Sequence, residues 1–390
     1  MFPLSIFFGD LGQLGPVNKL DLHTQPAKDD SPAKLFGFLV YRGFQECIVL
    51  KETMRQKPDQ KKLLDRLLRI RNGTVTQQDW LDINARYEKE LPQREQELFD
   101  HDDVLTLHET WKEVNEQNLL RLSHFKTPVA TIRSSGYGPC HQKKFDQQVG
   151  QIPKTSYLAV GAKIILTKNQ GAFTPYGLNN GSTGTVVSIL YEPNVSPPSM
   201  PTAVICDFTS YQGPAFDPAH PTWVPIVQDI GRCDSDCRCL RKGLPLMPGY
   251  SIPIAKSQGM TVGQGKSSTH MRVKLCNEKH HMEQRALGTS YTAFSRVETE
   301  SRWCLVEPVS QDRLLYINRH PRMVGRREEE KRLETLSQDT LNKYEKYSDP
   351  AMYIELLRRV DEQSDDGVIS TECPQPTDTC SCICCKSNTA

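Results

Sequence analysis

Residues 255–262 read AKSQGMTV and follow an apolar stretch, LPLMPGYSIPI (244–254). Small and hydroxyl residues crowd into a tight turn here. Gly259 would let backbone N–H groups approach a phosphate closely. Lys256, Ser257 and Thr261 could add donors to that phosphate or to a nucleic-acid backbone. A plain strand-to-helix turn with a serine cap fits the same residues. The stretch gains meaning only from its neighbours along the chain.

Three other stretches frame it. In SYTAFSRV (290–297), Arg296 follows a mostly apolar run and a serine, where an arginine can stabilise charge on a transferring phosphoryl group. A surface arginine is the plainer alternative. In GDLGQLGPV (9–17), Asp10 and Gln13 end a short apolar segment, Leu4 to Phe8. A glutamine there can orient water or sense a γ-phosphate, and an Asp-capped turn explains the residues equally. In KETMRQ (51–56), Arg55 and Gln56 precede an amphipathic helix.

Composition sets the bounds. The 390 residues are 37% hydrophobic and 24% charged, with net charge +1. Bulk charge gives no support to nucleic-acid binding, so any such surface must be a local groove. No run approaches the ~18 apolar residues of a spanning helix. Leu4–Phe8 is too short for a signal core and has no basic residue before it, which makes an intracellular protein the expectation. The thirteen cysteines include scattered ones at Cys47, Cys140, Cys206, Cys276 and Cys304. RCDSDCRC holds Cys233, Cys237 and Cys239; TCSCICC holds Cys380, Cys382, Cys384 and Cys385, with Cys373 nearby. Zinc commonly takes two spaced pairs. Neither cluster has that spacing, so no metal site is expected, and the reading is reduced thiols on flexible segments.

Along the chain, residues 18–34 are polar, with Pro26 and Pro32, and suit a connection. ECIVL (46–50) is a short strand candidate. PDQKKLLDRLLRIRNG reads as a helix with Leu63, Leu64, Leu67, Leu68 and Ile70 on one side and Asn72-Gly73 as its stop. QQDWLDINARYEKEL reads as a second helix. KEVNEQNLLRL reads as a third, with Val114, Leu119 and Leu122 on its apolar face. From 157 the pattern turns to short β runs, AKIILTK, GTVVSILY, TAVICDF and TWVPIV, with NNGSTG (179–184) as an Asn-Gly turn. After 310 the chain is charged and helical, and 363–390 reads as an acidic, Cys-rich disordered tail.

Taken in order, these motifs resemble those of superfamily-one DNA helicases, most closely the Pif-type family and its Helitron relatives. The resemblance covers roughly residues 5–310. GDLGQLGPV looks like the family's GDxxQLPPV loop, and LKETMRQ with RLLRIRNG like its arginine-glutamine segment. LAVGAKIILTKN with GLNNGSTGTVV looks like its barrel segment. AKSQGMTV is similar to HKSQGMTL, and YTAFSRV to YVALSR.

The resemblance implies an α/β fold: a C-terminal RecA-like helicase domain (35–156 and 244–310) with a small inserted β-barrel (157–243). A remnant of a first RecA-like domain (1–34) would precede it. A helical extension (311–362) and the tail (363–390) would follow. It implies an ATP-dependent DNA helicase that moves 5′-to-3′ on single strands, with ATP and Mg²⁺ as cofactors. Single-stranded DNA and duplex junctions would be its partners, and repair, recombination or telomere maintenance in the nucleus or mitochondrion its setting. Gln13, Arg55 and Arg296 would be catalytic, with Arg296 the arginine finger. Asp10 and Gly259 would complete the nucleotide site, and Lys256, Ser257, Gln258 and Thr261 would face DNA.

Two departures qualify this. Ala255 stands where the family has histidine, and Gly15 where it has proline. The sequence also holds no G-x-x-x-x-G-K-[ST] loop. GQGKSS (263–268) contains Gly-Lys-Ser but no glycine at the required spacing before Gly265, and is read as a loop. No Asp-Glu pair precedes residue 9. The expectation is therefore a C-terminal helicase portion whose phosphate loop and metal carboxylates lie upstream or on a separately encoded half. A non-catalytic single-strand-binding module and an inactive transposon-derived remnant are the alternatives.

Overall fold

A computed structural model describes residues 6–16, 21–143, 145–235, 237–276 and 282–345. They fall into two compact units: residues 1–24 with 52–327, and residues 25–51 with 328–390. The expected tail and its TCSCICC cluster lie outside the described residues.

The larger unit is built on a four-stranded parallel sheet in the order Ser251–Pro253, Leu105–His108, Met271–Val273, Trp303–Leu305. Helix Lys61–Asn72 packs Leu63, Leu67 and Ile70 into the core of this sheet. Those positions recur at one face of a 3.6-residue period. Leu68 points to solvent instead, and Leu64 is only half-buried. Gly73 ends the helix at φ +70°, a left-handed position that suits glycine. The second expected helix is shorter than its pattern, Gln77–Asn84, and opens on a capping box between Thr76 and Asp79. Asp79 also takes a bidentate bond from Arg69 at 2.8 and 2.7 Å. The third helix, Trp111–Ser123, buries Val114 and Leu122 but not Leu119. Asn118 takes the inward place, receiving the Tyr250 and Ser251 backbone N–H groups and donating to Ser251 O.

The four expected β runs all form. Leu246–Pro248, Lys163–Leu166, Thr183–Leu190, Ala203–Asp207 and Trp223–Ile226 pair in that order as an antiparallel sheet. Ile164 with Leu166, Val204 with Cys206 and Val224 with Ile226 alternate into one separate core. The pairing ends at Leu246–Pro248 on one side and Trp223–Ile226 on the other, so closure into a barrel is not seen among the described residues. A smaller sheet, Ser135–Tyr137, Leu240–Gly243 and Asp229–Arg232, stands beside it in sequence.

Two strand expectations fail. Leu4 and Ser5 lie outside the described residues, and Ile6–Phe8 form no strand, with Phe8 89% exposed. A strand needs a neighbour for its N–H and C=O groups, and none of the described strands pairs with this segment. ECIVL fails for a related reason, within the smaller unit. Its Cys47 and Val49 N–H groups donate to Thr340 Oγ1 and Ser337 Oγ of helix Arg322–Tyr344, at 3.1 and 3.0 Å. Hydroxyls on a helix take the bonds a sheet partner would have taken. The same unit contains helix Pro32–Arg42, whose Tyr41 donates to Glu329 at 2.8 Å. No described helix is long and apolar enough to cross a membrane.

Candidate functional site

The KSQGM turn leaves the sheet after strand Ser251–Pro253 as a short 3₁₀ turn, Ile254–Ser257. Gly259 follows at φ +83° with nothing within 4 Å of where a Cβ would stand, so its backbone is open to a ligand. Beyond it, Val262 N donates to Arg296 O at 2.8 Å, and Val262 pairs with Val297. This short parallel bridge brings the KSQGM and Ser-Arg motifs together.

Arg296 is 1% exposed, which excludes the surface reading. It follows helix Thr289–Phe294. Its Nη2 donates to Ser295 Oγ at 2.6 Å and its Nη1 to Ser257 O at 3.5 Å. Its Nε has no acceptor. Arg55 lies close by. It donates to Thr261 Oγ1 at 3.1 Å and to Ser295 O at 3.0 Å. Neither arginine has a carboxylate within salt-bridge distance among the described residues. Burial and then the Arg55 charge push the Arg296 guanidinium down to about 10, against the pull of Tyr291 and Asp10. Burial likewise lowers Arg55. A buried guanidinium and a half-buried one thus stand close enough to repel one another, with no carboxylate in direct contact with either.

The Gln13 loop reaches the same helix. Gly288 opens helix Thr289–Phe294 at φ +94°, and a Cβ there would meet Gly12 O at 2.5 Å. Leu14 N donates to Thr292 Oγ1 at 3.1 Å. Buried Glu283 caps this helix end, accepting from the Gly288 N–H at 3.2 Å and from the Ser290 N–H. Burial would raise the Asp10 carboxyl, but Arg71 and the Gly12 N–H hold it below the usual range. Arg71 donates to Asp10 at 2.8 and 3.1 Å. Gln13 Nε2 stands 3.5 Å from the same carboxylate. Asp10 is thus committed to organising its loop.

The residues expected to face DNA divide. Gln258 is exposed, and its amide clasps Leu14 O at 3.0 Å. Lys256 bridges to Gln151 and Asn180, at 3.3 and 3.2 Å. Burial lowers its ammonium. Ser257 is fully buried with its hydroxyl donating to Ile254 O, and Thr261 receives Arg55. These two hydroxyls are engaged on the arginine side of the turn. GQGKSS is a loop before strand Met271–Val273, with no helix following to make a phosphate cradle.

Sequence reasoning named Gln56 beside Arg55 but gave it no role; it donates to Ser295 O and Val297 O at 3.4 and 2.8 Å and so holds the turn carrying Arg296. Its place beside Arg55 was the available signal. The Arg313–Glu109 pair was missed entirely. Arg313 donates to buried Glu109, to Ser290 Oγ at 3.1 Å and to Cys276 O, and so ties the helix before Arg296 to the sheet. Burial still lifts the Glu109 carboxyl above its usual range despite the guanidinium beside it.

No family model matches the chain. It is 30% identical over 208 residues to the ATP-dependent DNA helicase PIF1 of Saccharomyces cerevisiae (strain YJM789), covering 50% of this chain and 22% of that protein. The Pif1 helicase from Candida albicans superimposes with TM-score 0.53 at 22% identity, over 73% of this chain and 60% of the other. Bacteroides Pif1 bound to single-stranded DNA gives 0.54 at 17% identity, over 78% and 62%. The chain therefore spans about a fifth of the yeast protein and about three-fifths of the crystallised chains.

Proposed function

We propose that this chain, a Pif1 helicase homologue with the Pif1-like superfamily-one fold, supplies the arginine-bearing half of an ATP-driven motor on single-stranded DNA. The observation that carries the reading is the Arg55–Arg296 pair: two neighbouring guanidiniums, one fully and one half-buried, with no carboxylate in salt-bridge contact. A nucleotide phosphate is the anion whose charge and oxygens suit such a pair. Arg296 then acts as an arginine finger, stabilising charge that develops as the γ-phosphoryl leaves. Gln13 sits on the loop that reaches the same helix, where it orients the attacking water. A relative crystallised with ADP-AlF3 and single-stranded DNA supports pairing these two ligands on one fold.

The residues fit phosphate better than they fit Mg²⁺. Asp10 is occupied by Arg71, and the sequence holds no G-x-x-x-x-G-K-[ST] loop. Hydrolysis therefore requires a phosphate loop and metal carboxylates from outside residues 1–390. The exposed KSQGM turn, through Gln258 and Gly259, faces the DNA backbone, read through phosphates with little base recognition. The unwinding direction and a role in repair, recombination or telomere maintenance belong to the same proposal.

Fluorescence anisotropy with a labelled oligonucleotide tests the DNA half. Binding should weaken linearly on a log–log salt plot and favour single strands over blunt duplex. Equal binding to both forms would sink it. The absence of a phosphate loop favours a second reading for this chain alone, a DNA-binding module without turnover. Steady DNA-stimulated ATP hydrolysis by the purified chain, lost in Arg296→Ala, would contradict that reading.

A further inference from the structure

Three thiols scattered in sequence meet in space. Cys140 stands 97 residues before Cys237, yet their sulfurs are 3.7 Å apart. With Cys239 they form a group whose sulfurs all lie within 4.8 Å of one another. Two thiolates on one tetrahedral zinc stand about 3.8 Å apart, given a Zn–S bond of about 2.3 Å. The observed spacing is that of ligands already gathered.

The backbone is shaped to hold them there. Strand Ser135–Tyr137 leads into Gly138 at φ +79°, where a Cβ would collide with Cys239 Sγ at 2.4 Å. Only glycine lets the chain close over that sulfur. Cys239 leads directly into strand Leu240–Gly243, which pairs with Ser135–Tyr137 on one side and Asp229–Arg232 on the other. Cys233 opens the same turn, and its N–H donates to Cys239 O at 3.0 Å. Its own sulfur lies 3.7 Å from Asp234 Oδ1.

We propose that Cys140, Cys237 and Cys239 bind one zinc ion, with Cys233 turning in as the fourth sulfur. The donor set, all sulfur and gathered at one point, selects zinc over the hard cations. Binding releases the thiol protons and changes no oxidation state. The ion would staple the turn at 233–239 to the short helix Cys140–Lys143. Val149 pairs with Cys233, two residues before Gln151, which receives Lys256. The staple therefore also anchors the polar bridge to the KSQGM turn.

The test is metal content of the full 390-residue chain, expressed with added zinc and purified under reducing conditions. About one zinc per chain is expected, falling at least tenfold in Cys140→Ser and in Cys237→Ser. Cys237 is exposed, so its variant should fold normally, as judged by circular dichroism. Cys47→Ser, in the other unit, should keep its zinc. Cobalt in place of zinc should give thiolate charge-transfer bands and tetrahedral d–d bands, weakened in Cys233→Ser. A metal-free chain that takes up neither ion, a Cys140–Cys237 disulfide in the reduced preparation, or an iron–sulfur chromophore would each overturn the proposal.

Discussion

Arg313 and Arg296 are both fully buried in the same unit, one bonded to Ser290 of helix Thr289–Phe294 and the other just after it, and their surroundings differ in kind. Arg313 faces the buried carboxylate of Glu109, a serine hydroxyl and a carbonyl. Arg296 faces a hydroxyl, a carbonyl and another arginine, with one nitrogen unpaired. A buried charge without a counter-charge costs stability. The first pocket is closed within the chain, whereas the second leaves Arg296 Nε without an acceptor. The contrast separates structure from function without reference to any relative.

The largest effect should follow from removing Arg296 where catalysis is possible. In a chain joined to a phosphate-loop half, Arg296→Ala should lower DNA-stimulated ATP turnover about 10³-fold or more. A loss below tenfold would make Arg296 a structural residue like Arg313. The reverse holds for stability. Arg313→Met leaves Glu109 buried and unpaired, and should cost about 4 kcal/mol in urea denaturation. Arg296→Met removes a repelled charge and keeps volume, so the same measurement should find it within about 1 kcal/mol of wild type, or more stable. Matching losses in the two methionine variants would erase the distinction.

A smaller effect sharpens it with pH. Burial would raise the Asp79 carboxyl, but Arg69 and Thr76 hold it down to about 2 from its ordinary 3.8. Its contribution is complete above pH 3.8 and fades as pH falls towards 2. Asp79→Asn should flatten that part of the stability profile and cost about 1 kcal/mol from the weakened cap. An unchanged acid limb would mean that this pair, unlike Arg313–Glu109, holds nothing together.

What the sequence made legible was local. KSQGMT, the Arg55-Gln56 pair and the Ser-Arg of 295–296 each carry their chemistry in a few consecutive residues, so their order was enough to assemble the site. The helix at 61–72 and the β runs from 157 were readable from period and turns. What escaped needed distant partners. Glu109 meets Arg313 across 204 residues, and Cys140 meets Cys237 across 97. ECIVL has a strand's composition but lies against helix hydroxyls, because apolar β-branched residues do not reveal what will take their N–H groups. Ser257 and Thr261 were rightly placed on the turn, but a sequence does not say which side of a turn faces inward.

The most direct measurement is the melting temperature of the isolated chain with and without tripolyphosphate at matched ionic strength. The account predicts a rise in the wild type that is lost in Arg296→Met and in Arg55→Met, while Lys343→Met, in the other unit, keeps it. An equal rise in all four proteins, or none in the wild type, would contradict the claim that this pocket waits for a phosphate.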